Sequence, residues 1–124
     1  FSTQHDAAEP LGFLMGNGKD RILYATDTYY IKYRFPACTV MMIECNHSYD
    51  IIDRKVASGS LHPVLARRLT KSHMSLENLV DFFKANDLSR LREVYLIHLS
   101  DANSDEKLFQ RTIAALTGVP VYVA

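Results

Sequence analysis

The sequence carries no excess charge of either sign: Lys plus Arg and Asp plus Glu each number 14 among 124 residues. That balance removes the electrostatic case for a general nucleic-acid or acidic-membrane binder and leaves only a local patch as a means of holding anions. No apolar run approaches the roughly 18 residues that a bilayer-spanning helix needs, which excludes a transmembrane reading. Cysteine is scarce. Cys38 and Cys45 form neither a disulfide framework nor a CxxC pair, a usage that fits a reducing cytoplasm. There is no linker rich in Pro, Gly or Ser, no internal repeat and no low-complexity tract, so residues 1–124 are expected to form a single domain. The phosphate-cradling patterns GxxxxGK(S/T) and GxGxxG are missing, which argues against a nucleotide loop. Ser48 and Ser100 lie near histidines, but without a GxSxG elbow a serine hydrolase is the weaker expectation. The chain opens at Phe1 without an initiator methionine, a charged n-region or an apolar h-region. No signal peptide is expected, and the opening reads as that of a piece of something longer.

What is present belongs to an ordinary globular chain, 48% hydrophobic and 23% charged, rather than a disordered one. Leu11–Met15 and Arg21–Ala25 are strand-like runs joined by Gly16-Asn17-Gly18-Lys19-Asp20, and Asn-Gly tolerates the positive φ of a tight hairpin turn. Thr39–Ile43 is a short continuous apolar run, as in a strand buried on both faces; Val94–Ile97 and Val119–Val123 are two more. Helices are expected between them. Ser75 is placed to cap a helix with Leu76, Leu79, Val80 and Phe83 on one face, and Asn103 with Glu106 resembles a capping box. Gly118 sits where a left-handed residue would end that last helix. Two weaker helices are expected over 48–56 and 61–70. The order predicts an α/β fold, a mixed sheet with helices packed on it.

The polar residues that end the apolar runs carry the chemistry. Arg21–Ala25 runs into Thr26-Asp27-Thr28, Val40–Ile43 into Glu44-Cys45-Asn46-His47, and Val94–Ile97 into His98-Leu99-Ser100-Asp101. Sites in open α/β sheets gather at the carboxyl ends of strands, and three such endings with His5-Asp6 upstream point to one shared site. Imidazole and carboxylate donors suit zinc or manganese. Taken singly, each residue also has a plain structural reading. His5 is a solvated residue near a chain end, Asp27 a turn former, His98 a core histidine and Glu44 an ion-pair partner. Asn46 and His47 are placed to cap the next helix, Cys45 reads as a small buried hydrophobe, and Arg67 and Arg68 as a solvated face that is also suited to phosphate.

Together these phrases resemble a known family. His5-Asp6-Ala7 with Glu9-Pro10-Leu11-Gly12-Phe13, then Tyr24-Ala25-Thr26-Asp27-Thr28, resemble later metal motifs of the metallo-β-lactamase fold. Ile43-Glu44-Cys45-Asn46-His47, Ser72-His73-Met74-Ser75 and Leu96-Ile97-His98-Leu99-Ser100-Asp101-Ala102-Asn103 are similar to segments of its small nuclease-like branch, with Ser72 in place of a glycine. The resemblance implies the carboxyl-terminal half of an αββα hydrolase that holds two divalent metal ions and cleaves phosphodiesters, with DNA as the substrate class. By that resemblance His5 would bind one metal, Asp27 would bridge both and His98 would bind the second. His73 would act catalytically beside Asp27. Asp6, Glu44, Asn46, His47, Ser100 and Asn103 would stand behind the ligands or against substrate. The family's first ligand cluster, His-x-His-x-Asp-His, is absent from these residues. The expectation is therefore a chain inactive alone, its open sheet surface covered by a missing amino-terminal half or by a second copy in a homodimer. The same fold acting on another ester or thioester, or a non-catalytic dimerising domain, are the alternatives.

Overall fold

The computed structural model describes residues 1–124. In chain order its elements are β1 (Phe13–Gly16), β2 (Arg21–Ala25), β3 (Val40–Glu44), α1 (Tyr49–Ala57), α2 (Pro63–Thr70), α3 (Leu76–Ala85), β4 (Glu93–Ile97), α4 (Glu106–Thr117) and β5 (Val121–Val123). The fold is α/β. The five strands form one mixed sheet in the spatial order β1-β2-β3-β4-β5, antiparallel between β1 and β2 and parallel between the other neighbours.

Strand alternation sorts the side chains into two faces. Leu23, Ala25, Met41, Ile43, Val94, Leu96 and Val121 point to one of them and join a single buried cluster with Leu79, Phe82 and Phe83 of α3 and Phe109 and Ile113 of α4. The long connection from β2 to β3 has no helix, yet it sends Ile31, Phe35 and Cys38 into the same core. On the opposite face the strand register lines up Phe13, Tyr24, Met42, Tyr95 and Tyr122 in one row across all five strands. No helix buries the ends of that row: Phe13 is 52% and Tyr122 46% exposed. Cys38 and Cys45 are both buried and unpaired, and no helix is long and apolar enough to cross a membrane.

Four local expectations need correcting. β1 begins at Phe13 rather than Leu11, because Leu11 pairs instead with Ser2 in an isolated antiparallel bridge. α4 is capped by Asp105, whose carboxylate accepts the Leu108 N–H at 3.0 Å; Asn103 is spent in the preceding turn, donating its N–H to Ser100 Oγ at 3.1 Å. α1 is capped by Ser48, not by Asn46 or His47, because those two are held in extended pairing with the segment before α3. α2 starts at Pro63, and His62 caps it, Nδ1 accepting the Val64 N–H at 3.1 Å. Gly118 does take the left-handed conformation (φ 71°) and ends α4.

Candidate metal centre

Because β2, β3 and β4 run parallel, their carboxyl ends share one edge of the sheet. Asp27 follows β2, Glu44 ends β3 and His98 follows β4. Asp27 (φ 53°) and His98 (φ 57°) adopt left-handed backbone conformations, which among non-glycine residues only Ala37 shares. Such a conformation costs about 1–3 kcal/mol, which surrounding contacts must offset, and strain of this kind gathers at functional sites.

His73 reaches the same edge by another route. The segment before α3 runs beside the residues after β3: Asn46 N–H donates to Met74 O at 2.8 Å, Leu76 N–H donates to His47 O at 2.7 Å, and His47 bridges Ser75 in parallel. Glu44 is the hub of the arrangement and is 0% exposed. Its Oε2 accepts the Thr28 N–H at 3.1 Å and the Met74 N–H at 3.2 Å, which ties the loop after β2 to the segment before α3. Its Oε1 lies 2.7 Å from His73 Nδ1 and 2.8 Å from His98 Nδ1. Asp27 Oδ1 adds contacts of 3.2 Å to His98 Nδ1 and 3.8 Å to His73 Nδ1.

One donor atom from each of Asp27, Glu44, His73 and His98 therefore lies within 4.8 Å of every other. Bonds of about 2.0–2.1 Å to a tetrahedral zinc put neighbouring donors about 3.3 Å apart. The contacts of 2.7, 2.8, 3.2 and 3.8 Å lie on either side of that spacing, so the cluster has the size that a single cation can occupy. Hydrogen bonding to the Glu44 carboxylate raises the pKa of His73 above the usual histidine value against the opposing effect of burial, with the charges of Glu44, Asp27 and Asp6 adding to the rise. Burial, reinforced by the Glu77 and Glu44 carboxylates, pushes the Cys45 thiol well up, so Cys45 stays a neutral buried thiol rather than a thiolate donor.

The other sequence-derived candidates stand around this cluster. His5 is outside it: its ring packs edge-on against His73 with centroids 5.6 Å apart, while its Nδ1 lies 3.1 Å from Asp6 Oδ1 and 3.2 Å from the Ala7 N–H. His73 in turn packs edge-on against His98 at 5.0 Å, so three imidazoles form a row. Asn46 braces the site by donating its side-chain N–H to His98 O at 2.9 Å. Ser100 and Asn103 build the turn after β4, where Ser100 Oγ accepts the Asn103 N–H. Glu44 and His73, which the resemblance places behind the ligands or beside them, are members of the cluster itself. Thr28 and Met74, whose backbone N–H groups fix Glu44, stood in the sequence only as neighbours of Asp27 and His73, because a backbone donor leaves no signature in residue type.

His47 has a separate consequence. It is fully buried, Nδ1 lies 3.2 Å from Asn46 Oδ1, Nε2 has no hydrogen-bond partner, and burial lowers its pKa to about 4. As pH falls below about 6.5 the unfolded chain takes up a proton that the folded chain refuses until about pH 4. Between pH 7 and 5 this is expected to remove about 2 kcal/mol of stability from the metal-free protein. His73, with its raised pKa, contributes in the opposite sense, favouring the fold at low pH and losing that contribution as pH rises. The His47 part is isolated by comparing urea unfolding of wild type and His47→Gln at the two pH values; equal acid losses in both would show that His47 is not the cause.

No protein-family model matches the chain, and no curated protein sequence matches it.

Proposed function

We propose that the chain is the carboxyl-terminal half of a metallo-β-lactamase-like hydrolase, and that Asp27, Glu44 and His98 hold a divalent cation, zinc or manganese, used to cleave phosphodiesters with DNA as the substrate class. The observation that carries this reading is the convergence of four metal-competent side chains, from four separate segments, at one edge of the sheet. Three protein donors with an open position are the usual ligation of a catalytic zinc. A cation there supplies charge neutralisation at a phosphoryl oxygen and acidified water. The chain's own residues do the rest. Asp27 and Glu44 set the anionic side of the cluster, and the Glu44 carboxylate lies against Nδ1 of both imidazoles. His73 also borders the neighbouring cleft, which supports a role for it in giving a proton to a phosphoryl or leaving-group oxygen. The cluster offers donors for one cation; a second ion of the family's two-metal arrangement needs donors from the absent first motif, so hydrolysis by this chain alone is expected to be weak. Two free buried cysteines agree with a cytoplasmic setting.

Calorimetric titration with zinc and with manganese tests the reading. One cation per chain is expected, bound at least tenfold more weakly by His98→Ala, with any cleavage of DNA stopped by a chelator. Absence of binding, or equal binding by His98→Ala, would overturn it.

A second reading, a non-catalytic dimerising domain, is favoured by the aromatic row Phe13–Tyr24–Met42–Tyr95–Tyr122. An uncharged apolar row is complementary to its own copy, which is all that a two-fold contact requires. On this reading the wild type sediments as a dimer and Tyr122→Glu as a monomer; a monomeric wild type would exclude it.

A further inference from the structure

A cleft of about 490 Å³ lies against the metal cluster, between the His5–Asp6 segment and α2, with Ser72 and His73 at its base. Its size is within the roughly 300–1,000 Å³ of small-ligand sites. It opens on the cluster because His73 belongs to both. Its α2 wall is unusual for a surface helix. Leu65, Arg68 and Leu69 of α2 line that wall with Leu61 just ahead of the helix, yet Ala66 is the only buried residue of α2 and Leu65 is 56% exposed. An apolar helix stripe facing a cleft instead of the core lacks a structural partner in the fold.

The charged end of the wall is equally free. The Arg68 side chain is 76% exposed, and its guanidinium reaches only Asp6, at 4.0 Å, too far for a tight ion pair. A guanidinium held this loosely can turn to a phosphate, for which its planar fork is the best-matched side chain. The cleft thus joins an anion anchor to leucine side chains that can cover a flat apolar ring, beside the atoms proposed to promote phosphodiester cleavage.

We propose that this cleft seats the nucleotide flanking the scissile phosphodiester, its phosphate on Arg68 and its base against Leu65 and Leu69. The assignment rests on the phosphodiesterase reading above, of which it specifies the substrate side: one nucleoside monophosphate unit, selected by the combination of anion and ring. Neither part suffices alone. Inorganic phosphate lacks the apolar contact and a free nucleoside lacks the anion.

The test is a titration of the full chain in the presence of chelator, so that no cation takes part. Thymidine 5′-monophosphate, thymidine and inorganic phosphate are added to isotopically labelled protein and followed by amide shifts. Saturable binding of the nucleotide is expected, with shifts centred on α2 and Ser72–His73, about tenfold weaker for Arg68→Ala and for inorganic phosphate, and weakened again by Leu65→Ala. Both side chains are exposed, so the variants are expected to melt with the wild type. Lack of saturable nucleotide binding, unchanged affinity in Arg68→Ala, or phosphate binding as tightly as the nucleotide would each overturn the assignment. Cation binding, measured separately by calorimetry, reports on the phosphodiesterase reading independently. A chain that binds cation but no nucleotide loses only the cleft assignment, and one that binds no cation loses the reading beneath it.

Discussion

Glu44→Ala is expected to destabilise the protein by about 3–5 kcal/mol, the cost of removing one member of a buried ionic network. The size follows from what the carboxylate holds. Its two oxygens serve two backbone N–H groups and two imidazoles, and with alanine in place Thr28 and Met74, both fully buried, keep N–H groups with nowhere to turn. Each stranded donor costs about 1–3 kcal/mol. Urea unfolding at pH 7 in the presence of chelator measures the loss without a cation to compensate. Glu44→Gln retains an oxygen for the backbone donors and is expected to lose about half as much, which separates hydrogen bonding from charge. A loss below about 1 kcal/mol in Glu44→Ala would show that the loop after β2 and the segment before α3 are held by something other than this side chain.

Asp27→Asn is expected to leave the metal-free stability within about 0.5 kcal/mol of wild type and to abolish most of the cation-induced stabilisation. Asn tolerates the left-handed backbone at least as well as Asp, and the Asp27 side chain is half-exposed, so the fold has little reason to respond. The cation does. A ligand present at 100 times its Kd stabilises the native state by about 2.7 kcal/mol, and each tenfold loss of affinity removes about 1.4 kcal/mol of that. Thermal melts of both proteins with and without zinc make the comparison. Equal zinc-induced shifts in the two would remove Asp27 from the ligand set, and with it one side of the proposed centre.

Much of the local structure was legible because it is written in periodicity and caps. The i, i+3, i+4, i+7 spacing of Leu76, Leu79, Val80 and Phe83 behind Ser75 places α3, and Asn17-Gly18 places the hairpin, with Asn17 Oδ1 accepting the N–H groups of Lys19 and Asp20. The cap of α4 was misplaced by two residues because Asn103 and Asp105 are both competent caps, and the choice between them depends on the turn that Ser100 builds. Glu44 was legible as a polar residue ending an apolar strand but not as a hub, since nothing local shows which N–H groups will meet it. His5 was grouped with Asp27 and His98 first beside the strand ends and then by resemblance; the fold sets it one ring away from the cluster, packed on His73.

By itself the sequence determined the order of strands and helices, the α/β class, and the three strand ends that carry Asp27, Glu44 and His98. These depend on neighbours within a turn or a strand, and side-chain periodicity records them. Tertiary structure alone decided that His73 completes the cluster, that Glu44 holds it, and that Arg68 and Leu65 line a solvent-open cleft beside it. Those outcomes depend on sheet register and on the pairing of His47 with Ser75, 28 residues later in the chain. Contacts across such separations are chosen by what the whole core can bury and which polar groups must then be satisfied, and no short stretch of residues contains that information.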